Sequence, residues 1–472
     1  MLRTLSIYLS VGVISATMSL VASFLLTHTL SPSEYGMGML FVSLIAMVSA
    51  VGSVGMDRVF LRYFYDKNYQ DNIPLLLYCC LFFVALGVLT VFLIGSFFTN
   101  YMSAFFHLRG WVVWCLITIG EIVFILQIFS SLLPRLCEKP LLYAIGQLFQ
   151  KASFLIAIMV LLFFSKKNST VIIYSQLFSL GVCSAALIFF YKNTWKFPIE
   201  LFRQLQYHSI KKLFYYGAPF IFSGSLLWIS FNVDKFLLLK FSTADALGIY
   251  SAAFVLSMPL ETIRSIFIVA WMPRCHQLLE EMPLKGKKVF HNTFHQVLWS
   301  FTVIISLLLL LKPLLGLFLG DAFRAAENIF GWLLLSIYFY GLSDIVTVGI
   351  LKSKKTYWNI PISILCLLTN MIACYFFIPF WGVQGAAIAN AISFGVFFLT
   401  RFVIGFWYYS FKIYYAPLFL YVLYLCVEIL LANQNNVDWQ CTVAILFLFV
   451  SFYLERKWMM NYVLSGFRKV YV

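Results

Sequence analysis

The sequence predicts an all-α polytopic membrane protein with about 14 transmembrane helices, arranged as two six-helix lobes around a central cleft plus two extra helices. Three observations support this fold class. Long apolar runs fill the 472 residues, hydrophobic residues make up 62% of the chain, and charged residues make up only 11%. A helix of roughly 20 apolar residues spans a bilayer, and only helices or closed barrels satisfy the backbone there. The runs are too long and too evenly apolar to be barrel strands.

The predicted spans follow one another along the chain with short connecting loops. They cover residues 5–28, 36–54, 74–98, 111–134, 141–164, 170–191, 213–233, 248–271, 292–315, 328–350, 357–379, 385–407, 415–432 and 440–455. No cleavage-site pattern follows the first run, so we expect a retained span and not a signal peptide.

Basic residues are concentrated in alternate loops. The net charge of +15 would suggest a nucleic-acid partner in a soluble chain, but here the Lys and Arg side chains lie beside span ends. This pattern follows the positive-inside rule and predicts cytoplasmic N- and C-termini. The ten cysteines lie mostly within apolar runs and indicate neither disulfides nor a metal site. We therefore expect no nucleic-acid partner and no metal.

An internal repeat predicts the arrangement of the spans. The segment FLLTHTLSPSEYGMGMLFVSL, at residues 24–44, aligns without gaps with FLLLKFSTADALGIYSAAFVL, at residues 236–256. In each copy a hydroxyl residue, Ser31 or Thr243, stands at a helix N-cap, and a glycine, Gly36 or Gly248, opens the next span. Ser31 and Glu34 have the spacing of a capping box. Both copies occupy an outer loop, so the repeat is parallel, with an axis along the membrane normal.

The repeat gives the domain organisation. We expect an N-lobe at residues 1–191 with helices 1–6, and a C-lobe at 213–409 with helices 7–12. An amphipathic cytoplasmic linker is predicted at 192–212, because its charged and apolar residues alternate at helical spacing. Helices 13 and 14 and a cytoplasmic tail occupy 410–472.

Several segments resemble the polysaccharide-exporter family, the O-antigen flippases or Wzx proteins of the MOP superfamily, which also contains MATE drug exporters and lipid II flippases. The matching segments are LSPSEYG, GMDRVFLRY, YGAPFIFSGSLLWISFNVDKFLL, LGIYSAA, GILKSKKT and FWGVQGAAIANAIS. Each is a loose pattern, but together they extend from residue 30 to residue 393 in the family's order.

The resemblance implies a flippase and not an enzyme. Its substrate would be an undecaprenyl-pyrophosphate-linked oligosaccharide repeat unit, of O-antigen or capsule type, moved from the cytoplasmic to the periplasmic leaflet by alternating access. It implies a multi-pass protein of the bacterial inner membrane, with lipopolysaccharide or other polysaccharide biosynthesis as its context. Partners would be membrane lipids and, further, a polysaccharide polymerase and chain-length proteins. It implies no cofactor beyond H⁺ or Na⁺ as a coupling ion.

Charges inside a bilayer are costly, so charged residues within spans are candidates either for function or for pairing. Arg264 is the best single cation for the anionic headgroup. Glu261 lies three residues before it on the same helix face, so a self-satisfied ion pair is the alternative. Glu121 and Lys151 lie at comparable depth on consecutive spans. They form either a cavity pair, in which Lys151 meets the pyrophosphate and Glu121 takes up a proton, or a structural salt bridge.

Further candidates complete the predicted site. Asp234, placed at the end of span seven, could bind a coupling ion, although the adjacent Lys235 favours an interfacial position equally. Asp344 and Asn370 are also candidates for ion coupling, as is Glu261. Arg58 and Arg62, in the basic segment after the second span, are candidates for substrate binding.

Three alternatives remain open. A lipid II flippase should carry more arginines in its first two spans than this chain has, and a MATE-type drug exporter should have a more acidic cavity. A membrane polymerase, ligase or acyltransferase usually needs a sizeable outer loop or a cluster of catalytic side chains at one membrane face. The short loops between these spans argue against such an enzyme.

Overall fold

The computed structural model describes residues 2–66, 72–100, 103, 109–137, 139–196, 207–281, 283–353, 355–434, 439, 441–447 and 451. Over these residues the chain is helical with short turns, and no strand occurs among them, so the prediction of an all-α protein is confirmed. We keep the names N-lobe and C-lobe for the helices before and after the predicted linker. The exact boundaries of the lobes stay predictions, and residues 197–206 of the linker lie outside the described residues.

The described N-lobe consists of six long helices and one short helix. Their bounds are α1 Leu2–Thr29, α2 Pro32–Gly52, α3 Met56–Tyr63, α4 Ile73–Ser96, α5 Gly110–Leu136, α6 Pro140–Phe164 and α7 Thr170–Phe190. Helices α2, α4 and α6 each begin with a proline in the first turn. Proline is well tolerated there because the N–H it lacks would have no partner within the helix.

The described C-lobe begins before the predicted span seven and includes several short segments. Its helices are α8 Tyr207–Ser230, α9 Val233–Phe241, α10 Ala244–Glu281, α11 Pro283–Leu310, α12 Lys312–Gly316, α13 Phe330–Val346, α14 Val348–Ser353 and α15 Asn359–Tyr408. Two 3-10 helices, Asp321–Asn328 and Thr356–Trp358, connect them. Helix α16, Tyr415–Asn433, follows the C-lobe.

The described helices account for nearly all the predicted spans. Twelve are long and apolar enough to cross a membrane. Helix α15 is 50 residues long and bends at Gly382, whose φ of 53° is non-helical, so it contains both the eleventh and the twelfth predicted spans. The last predicted span, at 440–455, lies largely outside the described residues, which are helical over 441–447. The prediction of about 14 spans agrees with this architecture.

Span seven is longer than predicted and is broken. Helix α8 ends at Ser230, and α9 continues from Val233 to Phe241. At the break, the Asn232 side chain donates to the carbonyl of Trp228 (2.9 Å) and so satisfies an acceptor that the helix no longer uses. Asp234 therefore lies in the first turn of α9 and not at the end of the span. Both charged side chains are buried within the protein, since Asp234 is 1% exposed and Lys235 is 5% exposed.

Both copies of the repeat form the predicted N-caps. The Ser31 hydroxyl accepts from the N–H of Glu34 (3.4 Å), and the Thr243 hydroxyl accepts from the N–H of Ala246 (3.2 Å). The Glu34 carboxylate accepts from the N–H of Ser169 (2.6 Å), just before α7. Its role is thus to join two helices of the N-lobe, a contact that local spacing does not reveal.

The repeat glycines bring the two lobes into contact at the end of the molecule that is predicted to face outward. A Cβ atom on Gly36 would lie 2.6 Å from the backbone nitrogen of Gly248, and one on Gly248 would lie 1.9 Å from the carbonyl oxygen of Pro32. Real Cβ atoms do not approach so closely, so only glycine fits at these two positions. Helices α2 and α10 consequently pack backbone against backbone.

Contact between the lobes continues below these glycines. Helix α1 of the N-lobe packs against α6 and α10, so it lies between its own lobe and the C-lobe. A Cβ atom on Gly12 would lie 2.4 Å from Ile266 in α10. The largest apolar cluster also includes residues of both lobes, for example Leu26, Tyr250 and Phe330. Because lipid is as apolar as these side chains, there is no hydrophobic driving force between the helices. Close packing holds them together instead.

We predict that Gly248→Ala lowers the thermal stability of the purified protein. The added methyl group must push α2 away, and overpacking of this kind typically costs about 1–3 kcal/mol. Gly181→Ala in α7 is the matched control, since its Cβ would meet only Val123, at 3.9 Å. The measurement is the apparent melting temperature in detergent. If the two variants melt alike, the close contact between Gly36 and Gly248 is not present in the protein.

Candidate functional site

Four charged side chains form a cluster inside the C-lobe. We call Glu261, Arg264, Asp344 and Arg401 the C-lobe charge cluster. Arg264 donates from Nε and Nη2 to the two oxygens of Glu261 (2.8 and 2.6 Å) and from Nη1 to Asp344 (2.6 Å). Arg401 lies 3.6 Å from the other oxygen of Asp344. Helices α10, α13 and α15 supply these residues, so the cluster ties three helices together.

The C-lobe charge cluster is neutral overall, with two arginines and two carboxylates. Arg264 is 9% exposed and stacks on the ring of Tyr340, with 4.0 Å from its guanidinium carbon to the ring centre. Carboxylates occupy three of the five N–H donors of the guanidinium, and two remain for a ligand. Pairing of Arg264 with Glu261 was one of the two alternatives from sequence. The roles of Arg264 in substrate binding and of Glu261 and Asp344 in ion coupling stay predictions.

Sequence reasoning missed the link from Arg264 to Asp344 and the contribution of Arg401. These side chains come from separate helices, and no local spacing connects them. The only signal in the sequence is that each is a charge within an apolar run. Because a buried charge must find a partner, the presence of several such residues could have suggested a joint cluster, but not its pairing.

A second polar group surrounds the break in span seven. The Asp234 carboxylate accepts hydrogen bonds from the Tyr250 hydroxyl, from Nδ2 of Asn390 (2.7 Å) and from the backbone N–H of Lys235 (2.8 Å). Three C-lobe helices, α9, α10 and α15, thus meet at one carboxylate. With three donors in place, Asp234 is fully hydrogen-bonded in this structure.

Asn370, the other predicted ion ligand in this region, is buried but does not join Asp234. Its Nδ2 donates to the hydroxyl of Ser393 (3.3 Å), and its oxygen accepts from the thiol of Cys374 (3.1 Å). All three residues belong to α15, on either side of the bend at Gly382. Asn370 therefore ties the two arms of this helix together, and its role in ion coupling stays a prediction.

Lys235 connects the two lobes. Its Nζ donates to the hydroxyl of Ser43 in α2 (2.6 Å) and to the side-chain oxygen of Asn232 (3.1 Å). Ser43 belongs to the N-lobe and lies near the middle of its helix. Sequence reasoning noted Lys235 only as a neighbour of Asp234, because nothing in the local pattern shows that it reaches another lobe.

Arg58 and Arg62 line a cavity at the end of the molecule that is predicted to face the cytoplasm. The cavity has a volume of about 410 Å³. Helix α3 of the N-lobe and α8 of the C-lobe form its walls, which consist of Arg58, Leu61, Arg62, Tyr65, Asp66, Tyr216 and Phe220. Both arginines are exposed. The structure thus places these two predicted substrate-binding residues together, between the lobes and open to solvent.

The chain makes a sharp bend next to this cavity. Val54 and Gly55 both have positive φ, 52° and 67°, between the end of α2 and the start of α3. A Cβ atom on Gly55 would lie 2.6 Å from the carbonyl oxygen of Gly217 in α8. Positive φ is uncommon for a β-branched residue such as valine, and such strain is typical of functional or mobile positions.

Glu121 is buried without a partner. It is 0% exposed, and neither carboxylate oxygen has a hydrogen-bond partner among the described residues. One carboxylate oxygen of Glu121 lies against Gly52. A Cβ atom added to Gly52 would lie 1.9 Å from this oxygen. Glu121 therefore touches the last residue of α2, immediately before the bend at Val54.

The expected salt bridge between Glu121 and Lys151 is wrong. No ion pair joins these two residues, both of which the structure describes. Helix α5 packs mainly on α2 and α7, and α6 packs mainly on α1 and α7, so α5 and α6 make little contact with each other although they are consecutive. Lys151 is half-buried. Its role in substrate binding stays a prediction.

Comparisons with known proteins agree with the arrangement of helices described above. The chain resembles a solved structure titled "Lipid II flippase MurJ, inward closed conformation", with a TM-score of 0.67, 14% identity, and coverage of 96% of this chain and 99% of that one. It also resembles an inward-facing multidrug resistance MATE family transporter of the MOP superfamily (TM-score 0.55, 15% identity, coverage 85% and 97%). The Vibrio cholerae MATE transporter VcmN in its bent form gives a TM-score of 0.54 at 14% identity, with coverage of 87% and 100%.

At these identities the structural similarities establish the fold. No curated protein sequence matches the chain significantly. The sequence profile of a family described as "Polysaccharide biosynthesis protein" matches residues 1–279, more than half of the chain. This match agrees with the resemblance to polysaccharide exporters and with a membrane transporter fold. The chain belongs to the polysaccharide biosynthesis protein family.

Proposed function

We propose that the protein flips an undecaprenyl-pyrophosphate-linked oligosaccharide repeat unit, of O-antigen or capsule type, from the cytoplasmic to the periplasmic leaflet of the bacterial inner membrane. One observation carries the proposal beyond the family. A cavity with two arginines opens between α3 and α8, at the cytoplasmic end of the contact between the lobes. Arginine binds phosphate oxygens well, so this cavity suits the entry of a pyrophosphate headgroup.

The contacts between the lobes support alternating access. The lobes touch at the outer end through Gly36 and Gly248, at mid-depth through Lys235 and Ser43, and at the inner end through Gly55 and Gly217. At these three levels the contacts involve backbone atoms or a single hydrogen bond. Such contacts can break and reform as two rigid lobes rock against each other, which is how parallel-repeat transporters move a substrate.

We further propose that Glu121 couples this movement to protons. A buried carboxylate without a donor or cation favours the protonated form, because nothing stabilises its charge. Glu121 differs in this respect from Asp234, Glu261 and Asp344, each of which accepts hydrogen bonds. Its contact with Gly52 supports a link to the bend at Val54, where α2 meets the arginine cavity.

Deletion of the gene should abolish surface polysaccharide while lipid-linked repeat units accumulate in the inner leaflet. The reason is that assembly of the repeat unit continues when its route across the membrane is lost. The measurement is extraction of lipid-linked sugars combined with leaflet-specific labelling, and a plasmid copy of the gene is the control. Repeat units in the outer leaflet would point to a polymerase or ligase. Accumulated lipid II would point to a lipid II flippase, and unchanged polysaccharide to a drug exporter.

For Arg264, we predict that the double variant Glu261→Gln with Arg264→Gln fails to export polysaccharide although it reaches the membrane at normal abundance. The variant removes one positive and one negative charge, so the cluster stays neutral. Arg264→Ala alone would be ambiguous, since an unpaired buried carboxylate costs about 3–5 kcal/mol. Arg264→Lys should keep partial function, because lysine binds phosphate as a point charge. Normal export by the double variant would show that Arg264 has only a structural role.

For Glu121, we predict that Glu121→Gln keeps the fold and loses the response of flipping to a proton gradient. Glutamine has the shape of the protonated carboxylic acid but cannot release a proton. The measurement is flipping of a fluorescent lipid-linked oligosaccharide in proteoliposomes, with and without an imposed pH difference. Glu428→Gln is the control. Glu428, in α16, is equally buried, but it accepts a hydrogen bond from the Ser306 hydroxyl (2.7 Å). An unchanged gradient response of Glu121→Gln would exclude this residue as the coupling site.

A further inference from the structure

Lys235 is a buried cation at the contact between the lobes. It is 5% exposed and lies in the first turn of α9, after the break in span seven. Its two hydrogen bonds go to Ser43 of the N-lobe and to Asn232 of its own lobe. Since Ser43 is near the centre of α2, which is long and apolar enough to cross a membrane, the ammonium lies level with the middle of that helix.

The partners of Lys235 are neutral. The ammonium forms no ion pair within the described part of the chain, because the Asp234 carboxylate is taken up by Tyr250, Asn390 and a backbone N–H. The ring of Phe254 lies 5.2 Å from Nζ and adds a weak attraction. Arg264, in contrast, has two carboxylate partners. The neighbouring Asp234 carboxylate attracts the ammonium electrostatically but accepts no hydrogen bond from it. A buried cation whose own hydrogen bonds all go to neutral groups is energetically unfavourable, and such a position is typically functional.

Movement of the lobes must change the surroundings of this cation. Ser43 belongs to α2 and Lys235 to α9, so the hydrogen bond between them breaks when the lobes separate at this level. Nζ would then have a free N–H directed into the opening. An anionic oxygen is the natural replacement for the lost hydroxyl, because a hydrogen bond to a charged acceptor is stronger than one to a neutral acceptor.

We propose that Lys235 binds the pyrophosphate of the lipid-linked substrate at mid-depth, and that Ser43 occupies the same N–H when the site is empty and the lobes are closed. This inference rests on the proposed function, and it adds a binding residue between the arginine cavity and the outer end of the molecule. Nζ has three N–H donors, and the one directed across the contact between the lobes is bonded to Ser43, so the pyrophosphate would take the place of the Ser43 hydroxyl there. Substrate binding and closure of the lobes at this level are therefore mutually exclusive.

The test uses the full-length protein in detergent and farnesyl pyrophosphate as a soluble probe, with farnesol and phosphatidylglycerol as comparison ligands. Lys235→Gln should weaken binding of the pyrophosphate by at least about tenfold, as expected when a hydrogen bond to a charged group is lost. Lys235→Arg should bind nearly as well as the wild type. Lys240→Gln is the matched control, since Lys240 lies on the same helix and is exposed. It should leave the affinity unchanged.

Ser43→Ala gives the sharper result. Removing the competing hydroxyl should tighten binding of farnesyl pyrophosphate, by roughly threefold to tenfold, whereas a merely structural hydrogen bond would give no gain in affinity. This variant also keeps the proposal testable if Lys235→Gln does not fold. Unchanged affinity in Ser43→Ala would overturn the competition between Ser43 and the pyrophosphate.

The outcomes separate this inference from the proposed function. If the wild type binds farnesyl pyrophosphate and Lys235→Gln binds it equally well, the role of Lys235 is wrong and the flippase proposal stands. If the wild type binds neither farnesyl pyrophosphate nor any lipid-linked pyrophosphate, both are wrong. If phosphatidylglycerol binds as tightly as the pyrophosphate and depends equally on Lys235, the residue holds a membrane lipid and the inference fails.

Discussion

Inside a bilayer, water cannot satisfy a polar group, so the protein must supply every partner, and the structure follows from this constraint. It makes the chain helical, since helices satisfy their own backbone. It also decides where charges can lie. Arg264, Glu261, Asp344 and Arg401 pair with one another within the C-lobe, and Asp234 collects two donors from neighbouring helices and one from its own backbone.

The same constraint divides the buried charges into two kinds. Charges paired with opposite charges, such as those of the C-lobe charge cluster, hold helices α10, α13 and α15 together. Charges with incomplete partners lie where movement is needed: Lys235 at the contact between the lobes and Glu121 beside the bend that follows α2. In the proposed mechanism, these are places where the surroundings of a charge change as the lobes move.

Much of this fold could be predicted from the sequence, because hydropathy and the repeat are local signals. The spans, the N-caps at Ser31 and Thr243, and the special status of Gly36 and Gly248 all follow from them. The pairings could not be predicted. Lys235 and Ser43 belong to different lobes, and the break at Asn232 looks like the end of a span because its polar residues resemble a membrane boundary. Which helices become neighbours is decided by packing, which a single sequence does not display.

The closure of the lobes through Gly36 and Gly248 has a consequence for the energy supply of the cell. A flippase of the kind we propose, which moves a large sugar chain across the membrane, would risk letting ions follow and dissipating the membrane potential. Where main chain rests on main chain, at Gly36 and Gly248, there is no room even for a methyl group, and so none for a hydrated ion at that point. Because glycine has no side-chain rotamer to adjust, this contact can form as soon as the helices meet. In the proposed flippase, this contact would limit ion leakage at the end predicted to face outward, whatever sugar is carried.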